Sequence, residues 1–118
     1  MYEYKVKEIV SIYDGDTMKV VVDVGFGIYT KQTLRLYGIN APELRGPEKE
    51  AGKVSRDWLR EKVYAAMEKD GDGITIKTFK DKTGKYGRLL AEVFVTGTDV
   101  SLNEQMVNEN LAKEYMKG

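Results

Sequence analysis

The chain has 118 residues, and 19 Lys and Arg balance 19 Asp and Glu, so its formal net charge is zero. It contains no cysteine and no histidine, which excludes disulfides, thiolate nucleophiles, Ser-His-Asp triads and the common zinc sites. Any catalysis must therefore depend on carboxylates, arginine, lysine, tyrosine, hydroxyls or an oxygen-bound hard metal ion. Apolar residues make up 42% of the chain, and we expect one domain over residues 1–118.

The N-terminal residues lack the pattern of a signal peptide, because no basic stretch leads into an apolar one. The longest apolar runs are also far too short to span a bilayer. We therefore expect no membrane partner, and a cytoplasmic protein if the chain is full length. A chain from which an export signal has been removed would instead be a secreted protein.

The first third of the chain is rich in β-branched residues that alternate with polar ones. Two glycine-containing breaks, at residues 14–16 and 25–27, have the composition of turns. Strands joined by such short turns form an antiparallel meander. The predicted strands are residues 4–13, 17–24 and 28–37.

Further along the chain, apolar residues recur at spacings of three and four, which predicts a helix over residues 47–69. Two strands follow, at residues 74–79 and 88–95, with a loop between them. Ser101 is the expected N-cap of a second helix, over residues 101–108. The order of strands and helices predicts an α+β domain, mainly β: a five-stranded OB-fold barrel with two helices.

Two motifs in the first part of the chain admit both a structural and a chemical interpretation. Asp14-Gly15-Asp16-Thr17 has the composition of a hairpin turn, but two carboxylates near a turn can also bind a hard cation. Arg35 interrupts an apolar strand between Leu34 and Leu36. It is either an outward-facing charge on a half-exposed sheet or a guanidinium that grips a phosphate with two hydrogen bonds.

Two later motifs are equally open. Asn40-Ala41-Pro42-Glu43 is either a turn into the helix or a rigid segment that presents Glu43 as a base toward water. Residues 77–88 carry five bases and one acid, with Tyr86 among them. This stretch is either a solvated hairpin tip or a surface that stacks on a base and neutralises phosphate.

Together, the four motifs favour phosphodiester hydrolysis. The reaction needs positive charge around the phosphorus and an activated water molecule. Two arginines with a metal ion can supply the charge, and one glutamate can orient or deprotonate the water. Neither cysteine nor histidine is required.

The motifs also occur in an order and spacing that resemble the staphylococcal nuclease (thermonuclease) family, over about residues 10–113. The resemblance implies a calcium-dependent nuclease that cleaves DNA and RNA and leaves 3′-phosphates. The segments that carry it are Asp14-Gly15-Asp16-Thr17, Leu34-Arg35-Leu36, Gly38-Ile39-Asn40-Ala41-Pro42-Glu43, Lys85-Tyr86-Gly87-Arg88 and Val107-Asn108-Glu109-Asn110-Leu111-Ala112-Lys113.

The resemblance assigns roles to three groups of residues. Arg35 and Arg88 would stabilise charge on the phosphate, and Glu43 would activate or position the attacking water. The metal ligands would be Asp16, Asn40 and the backbone carbonyl of Ala41. Lys85 and Tyr86 would contact the phosphate and sugar of a bound nucleotide.

The sequence departs from the family at two points. Asn40 takes the place of a metal-binding carboxylate, so we expect weaker metal binding. The expected metal ion is Ca²⁺, with Mg²⁺ or Mn²⁺ as alternatives. Tyr115 is offset by one position from the late tyrosine that packs on the base in the family's founding member, and it is left out of the predicted site.

Two functions follow from these observations. The favoured one is a monomeric, metal-dependent endonuclease of low sequence specificity that prefers single-stranded DNA or RNA and needs no protein partner. The alternative is a non-catalytic barrel derived from a nuclease, which binds nucleic acid or another protein. Asn40 and the zero net charge motivate the second interpretation.

Overall fold

The computed structural model describes residues 2–83 and 87–115. For residues 80–83 it describes the backbone but not the side chains. Five strands form a barrel: β1 (Tyr2–Asp14), β2 (Thr17–Asp23), β3 (Tyr29–Leu36), β5 (Ile74–Thr83) and β6 (Leu89–Val95). They close in the spatial order β1-β2-β3-β6-β5. Neighbouring strands are antiparallel except β3 and β6, which pair in parallel.

Two helices accompany the barrel, as expected: α1 (Lys49–Lys69) and α2 (Leu102–Asn108). The α-helix α1 begins at Lys49 and not at residue 47, because a 3₁₀ turn over Gly46–Glu48 precedes it. At the start of α2, the Glu104 N–H donates to the Ser101 hydroxyl at 3.0 Å. The predicted N-cap of the second helix is therefore confirmed.

The structure also differs from the predicted elements in the last strands. Strand β5 continues to Thr83, where the sequence predicts a loop from residue 80. A two-residue ladder between β4 (Ile39–Asn40) and β7 (Lys113–Glu114) has no counterpart among the predicted elements. It joins the C-terminal segment to the chain just after β3.

The barrel interior holds the hydrophobic core, and α1 packs against β1 while α2 packs against β6. Alternation in β3 buries Leu34 and Leu36 and turns Arg35 to the outer face. The side-chain amide of the buried Asn103 on α2 accepts from Val93 N and donates to the carbonyls of Tyr37 and Ala91. These three bonds fasten α2 to the end of β3 and to β6.

The described residues include no helix that is both long enough and apolar enough to cross a membrane. The fold brings residues of the predicted site together at one edge of the barrel, where the β1–β2 turn meets the end of β3.

Candidate active site

A concave pocket of about 800 Å³ lies where the β1–β2 turn, the end of β3 and the segment before α1 meet. All six described residues of the predicted site line it: Asp16, Arg35, Asn40, Ala41, Glu43 and Arg88. Further lining residues with polar or aromatic side chains are Tyr13, Asp14, Tyr37, Arg45 and Tyr115. The fold therefore brings together motifs that are up to 72 positions apart in the chain, from Asp16 to Arg88.

The Asp14-Gly15-Asp16-Thr17 motif forms the β1–β2 hairpin turn and also lines part of the pocket. Asp14 Oδ1 accepts from the Asp16 N–H at 3.0 Å, which closes the turn. The buried Asp16 carboxylate accepts through Oδ2 from the Ala41 N–H at 2.8 Å. Gly15 permits this approach, since a Cβ at that position would come within 2.8 Å of the Ala41 side chain. The turn is thereby fixed against the segment that follows β4.

Arg35 is held by three neighbours in the pocket. Its Nη1 lies 3.2 Å from Asp16 Oδ2 and donates to the Leu36 carbonyl at 3.0 Å, and Nη2 donates to Asn40 Oδ1 at 3.3 Å. The side chain is 14% exposed. Among the contacts of the described residues, Nη1 makes two, Nη2 makes one and Nε makes none. A guanidinium with donors that remain available can bind two oxygens of a phosphate.

The carboxyl of Asp14 is in an unfavourable place for a negative charge. Burial, with the charge of Asp16 as the second cause, raises the pKa of Asp14 from 3.8 to about 6. Arg35 pairs with Asp16, the neighbour whose charge disfavours ionisation of Asp14. The pocket lining as a whole carries three acids, Asp14, Asp16 and Glu43, and three arginines, Arg35, Arg45 and Arg88, so its formal charges balance.

We expect Asp14→Asn to stabilise the protein increasingly as the pH rises from about 4 to about 7. The folded state of the wild type holds its Asp14 proton more tightly than the unfolded state. The stability that this proton contributes is therefore fully present below the pKa of Asp14 in the unfolded state, and it is lost as the pH rises through about 6. The Asn side chain keeps an oxygen that accepts the Asp16 N–H but has no charge to desolvate.

Urea unfolding of both proteins in EDTA, at pH 4 and at pH 8, measures this effect. The difference in unfolding free energy should widen in favour of Asp14→Asn at the higher pH. A difference that does not change with pH would show that Asp14 titrates normally.

The backbone of Glu43 lies against α1, which sets where its side chain begins. Gly52 of α1 is buried, and a Cβ there would come within 2.3 Å of the Glu43 carbonyl oxygen. The Glu43 N–H donates to Glu48 Oε1 at 3.4 Å. The Glu43 side chain remains exposed at the pocket. It is therefore a carboxylate on a fixed backbone that water can reach.

The basic stretch at residues 77–88 divides in the structure. Arg88 lines the pocket, whereas Lys77 lies over the ring of Phe94, 4.8 Å from its centroid, beside a separate and smaller cavity. The predicted nucleotide contacts Lys85 and Tyr86 lie outside the described residues. Among the described side chains of this stretch, Arg88 is the one that lines the predicted site.

Sequence reasoning left Tyr115 out of the site, but the structure places it at the pocket. Its ring centroid is 5.9 Å from the Arg35 guanidinium carbon. The β4–β7 ladder and a bond from the Tyr115 N–H to the Gly38 carbonyl, at 2.9 Å, hold it there. An offset of one position in sequence therefore does not remove an aromatic ring from the pocket.

The family model described as staphylococcal nuclease homologue matches residues 33–117. This chain belongs to the staphylococcal nuclease family. The matched part contains Arg35, Asn40, Glu43 and Arg88, whereas Asp16 precedes it. No curated protein matches the chain.

The pocket of this staphylococcal nuclease homologue offers oxygen donors of the kind that hard cations prefer. They are the carboxylate of Asp16, the side-chain oxygen of Asn40 and the carbonyl of Ala41. Residues 2–83 and 87–115 contain no cluster of three or more Asp or Glu side chains arranged to hold a metal ion. The donors fit a hard cation, with fewer charged ligands than a tight calcium site has.

Proposed function

We propose that this nuclease homologue hydrolyses phosphodiester bonds in DNA, RNA or both, with a divalent metal ion and little sequence specificity. The observation that carries the proposal is that Arg35, Arg88 and Glu43 line one open pocket together with Asp16. This combination supplies positive charge for a phosphate and a carboxylate for water in the same place.

In the proposed mechanism, Arg35 holds the scissile phosphate through the Nε and Nη2 edge of its guanidinium. Its other contacts, with Asp16 and the Leu36 carbonyl, keep that edge oriented before substrate arrives. Arg88 contributes the second positive charge. Donors that are already oriented stabilise the charge that develops on the phosphate at no reorganisation cost during the reaction.

Glu43 acts on the attacking water. Its exposed carboxylate accepts a proton from a water molecule that attacks the phosphorus, and the bond to the 5′-oxygen breaks. The product then carries a 3′-phosphate, as the family resemblance implies. The departing 5′-oxygen takes up a proton, so the reaction consumes one water molecule for each bond cut.

A hard cation bound by Asp16, Asn40 and the Ala41 carbonyl would add positive charge beside the phosphate. Without a carboxylate at residue 40, Asp16 is the charged ligand of that set. The chain's own part is to keep these oxygens in place, which the bond from the Ala41 N–H to Asp16 does.

The test is cleavage of end-labelled single-stranded DNA and RNA in EDTA and in millimolar Mg²⁺, Mn²⁺ and Ca²⁺. We expect cleavage with at least one of these metals, none in EDTA, and products with 3′-phosphate ends. Folded protein that cleaves neither substrate in any metal would contradict the proposal. Circular dichroism of the same samples establishes that the protein is folded.

We expect Asn40→Asp to lower the metal concentration needed for half-maximal cleavage. The new carboxylate adds a second charged ligand beside Asp16, and affinity for hard cations rises with ligand charge. It also gives Arg35 Nη2 an ionised acceptor where it now contacts the amide oxygen at 3.3 Å. Titration of each metal in the cleavage assay measures the shift, with Asn108→Asp at the end of α2 as the matched control.

The contact between Arg35 and Asn40 also supports a second candidate function. An arginine braced by a neutral amide and by Asp16 can hold a phosphate without a metal ion. In that case the protein is a barrel that binds nucleic acid and does not cut it. Oligonucleotide binding that EDTA leaves unchanged, from protein that cleaves in no metal, would favour this function.

A further inference from the structure

The outer surface of the barrel continues from the pocket along β2 and β3. The pairing of these strands sets Thr17 opposite Arg35, then Lys19 opposite Thr33, and Val21 opposite Lys31. The next pair on the same side is Asp23 with Tyr29. We call the part beyond Arg35 the β2–β3 face: Lys19, Val21, Asp23, Tyr29, Lys31 and Thr33. From Arg35 to Tyr29 it is about 20 Å long.

The far end of the β2–β3 face is an exposed aromatic hairpin tip. Phe26 is 100% exposed and Tyr29 is 50% exposed. Phe26 has φ of 58° between two glycines that also have positive φ, a conformation that non-glycine residues rarely adopt. The turn therefore keeps an apolar ring in water at a cost in backbone strain, and nothing in the described core packs against that ring.

The charge on this surface suits a polyanion. Lys19 and Lys31 are exposed on the β2–β3 face, and the Lys7 ammonium lies 5.7 Å from the centroid of the Tyr29 ring. Two acids share the surface. Asp23 accepts the Gly25 N–H at 2.8 Å and so takes part in the turn, while Glu8 is exposed on β1. Lysines next to an accessible aromatic ring can contact phosphates and stack on a base.

We propose that the β2–β3 face binds the single-stranded continuation of the substrate, with phosphates on Lys19 and Lys31 and bases stacked on Tyr29 and Phe26. This inference rests on the proposed function, since the strand would lead away from the pocket at Arg35. Single-stranded nucleic acid is favoured as the occupant because the face begins at the phosphate pocket, carries lysines and ends in exposed rings. Its length suits about four nucleotides, the lower end of the range for an OB fold.

The test compares a ligand that fills the pocket with one that extends beyond it, both in EDTA. A nucleoside 3′,5′-bisphosphate, measured by calorimetry, probes the pocket. A labelled single strand of about twelve nucleotides, measured by fluorescence anisotropy, covers the pocket and the face. The variants are Lys31→Glu and Tyr29→Ala, and the control is Lys69→Glu on α1, which makes the same charge change at an exposed residue.

We expect Lys31→Glu and Tyr29→Ala each to weaken binding of the long strand about tenfold, and to leave the bisphosphate affinity unchanged. The salt dependence of long-strand binding should also fall in Lys31→Glu by about one in slope, as expected for a lost phosphate contact. Lys69→Glu should behave as the wild type does apart from the small effect of net charge.

Long-strand affinity that is the same in Lys31→Glu and Lys69→Glu would overturn the proposal. So would binding of phosphatidylserine vesicles that Phe26→Ser abolishes while strand affinity stays intact, because the tip would then be a lipid site. Since binding is measured in EDTA, it is independent of cleavage. A protein that binds the long strand through this face but cleaves no substrate would contradict the proposed function and still support the role of the β2–β3 face.

Discussion

Arg35→Lys should lower the rate of phosphodiester cleavage by about 10²–10³ while the protein stays folded. Lysine keeps a positive charge beside Asp16, so the buried carboxylate is not left without a partner. It loses the planar fork, however, and a single ammonium cannot contact Asp16, the Leu36 carbonyl and two phosphate oxygens together. Single-turnover rates at saturating metal ion measure the loss, and thermal unfolding measures the fold.

Arg35→Lys is a sharper test than Arg35→Ala, because alanine would also remove the partner of a buried acid and destabilise the barrel. The matched control is Arg56→Lys on α1. That arginine contacts its neighbour Asp57 at 3.0 Å and is not among the residues that line the pocket. The control should cleave at the wild-type rate. A wild-type rate in Arg35→Lys would contradict the bidentate role.

Glu43→Gln should lower the rate by about 10²–10⁴, the range for loss of a general base, with almost no effect on stability. The side chain is exposed, and the bond that fixes this residue comes from its backbone N–H to Glu48. The amide has nearly the shape of the carboxylate but cannot accept a proton from water. The rate under single-turnover conditions is the measurement.

The control for this variant is Glu50→Gln, which removes a carboxylate from the first turn of α1. It should leave cleavage unchanged. Oligonucleotide affinity provides a second readout, since loss of a general base should slow the chemical step and leave binding intact. If Glu43→Gln cleaves as the wild type does, the water must be activated by another group.

The elements with a strong local pattern could be predicted from the sequence. Alternation placed Arg35 on the outer face between two buried leucines, because side chains in a strand point to opposite sides. Helical periodicity likewise predicted α1, and capping chemistry predicted Ser101 at the start of α2. The barrel follows from the order of these elements.

Contacts between distant segments could not be predicted in the same way. The β4–β7 ladder pairs residues 75 and 73 positions apart, and each of its strands has two residues, too few to show a period. Tyr115 reaches the pocket because of that ladder. The raised pKa of Asp14 depends on burial in three dimensions, and the contacts of Arg35 with Asp16 and Asn40 depend on how the β1–β2 turn and β4 are placed beside β3.

We infer that one phosphate binds between Arg35 and Arg88 in this pocket. The most direct test is NMR of the arginine Nε–H groups during titration with a nucleoside 3′,5′-bisphosphate. We predict that the resonances of Arg35 and Arg88 shift together with one dissociation constant, while that of Arg56 on α1 does not move. Binding of the bisphosphate that leaves both pocket arginines unshifted would contradict the account.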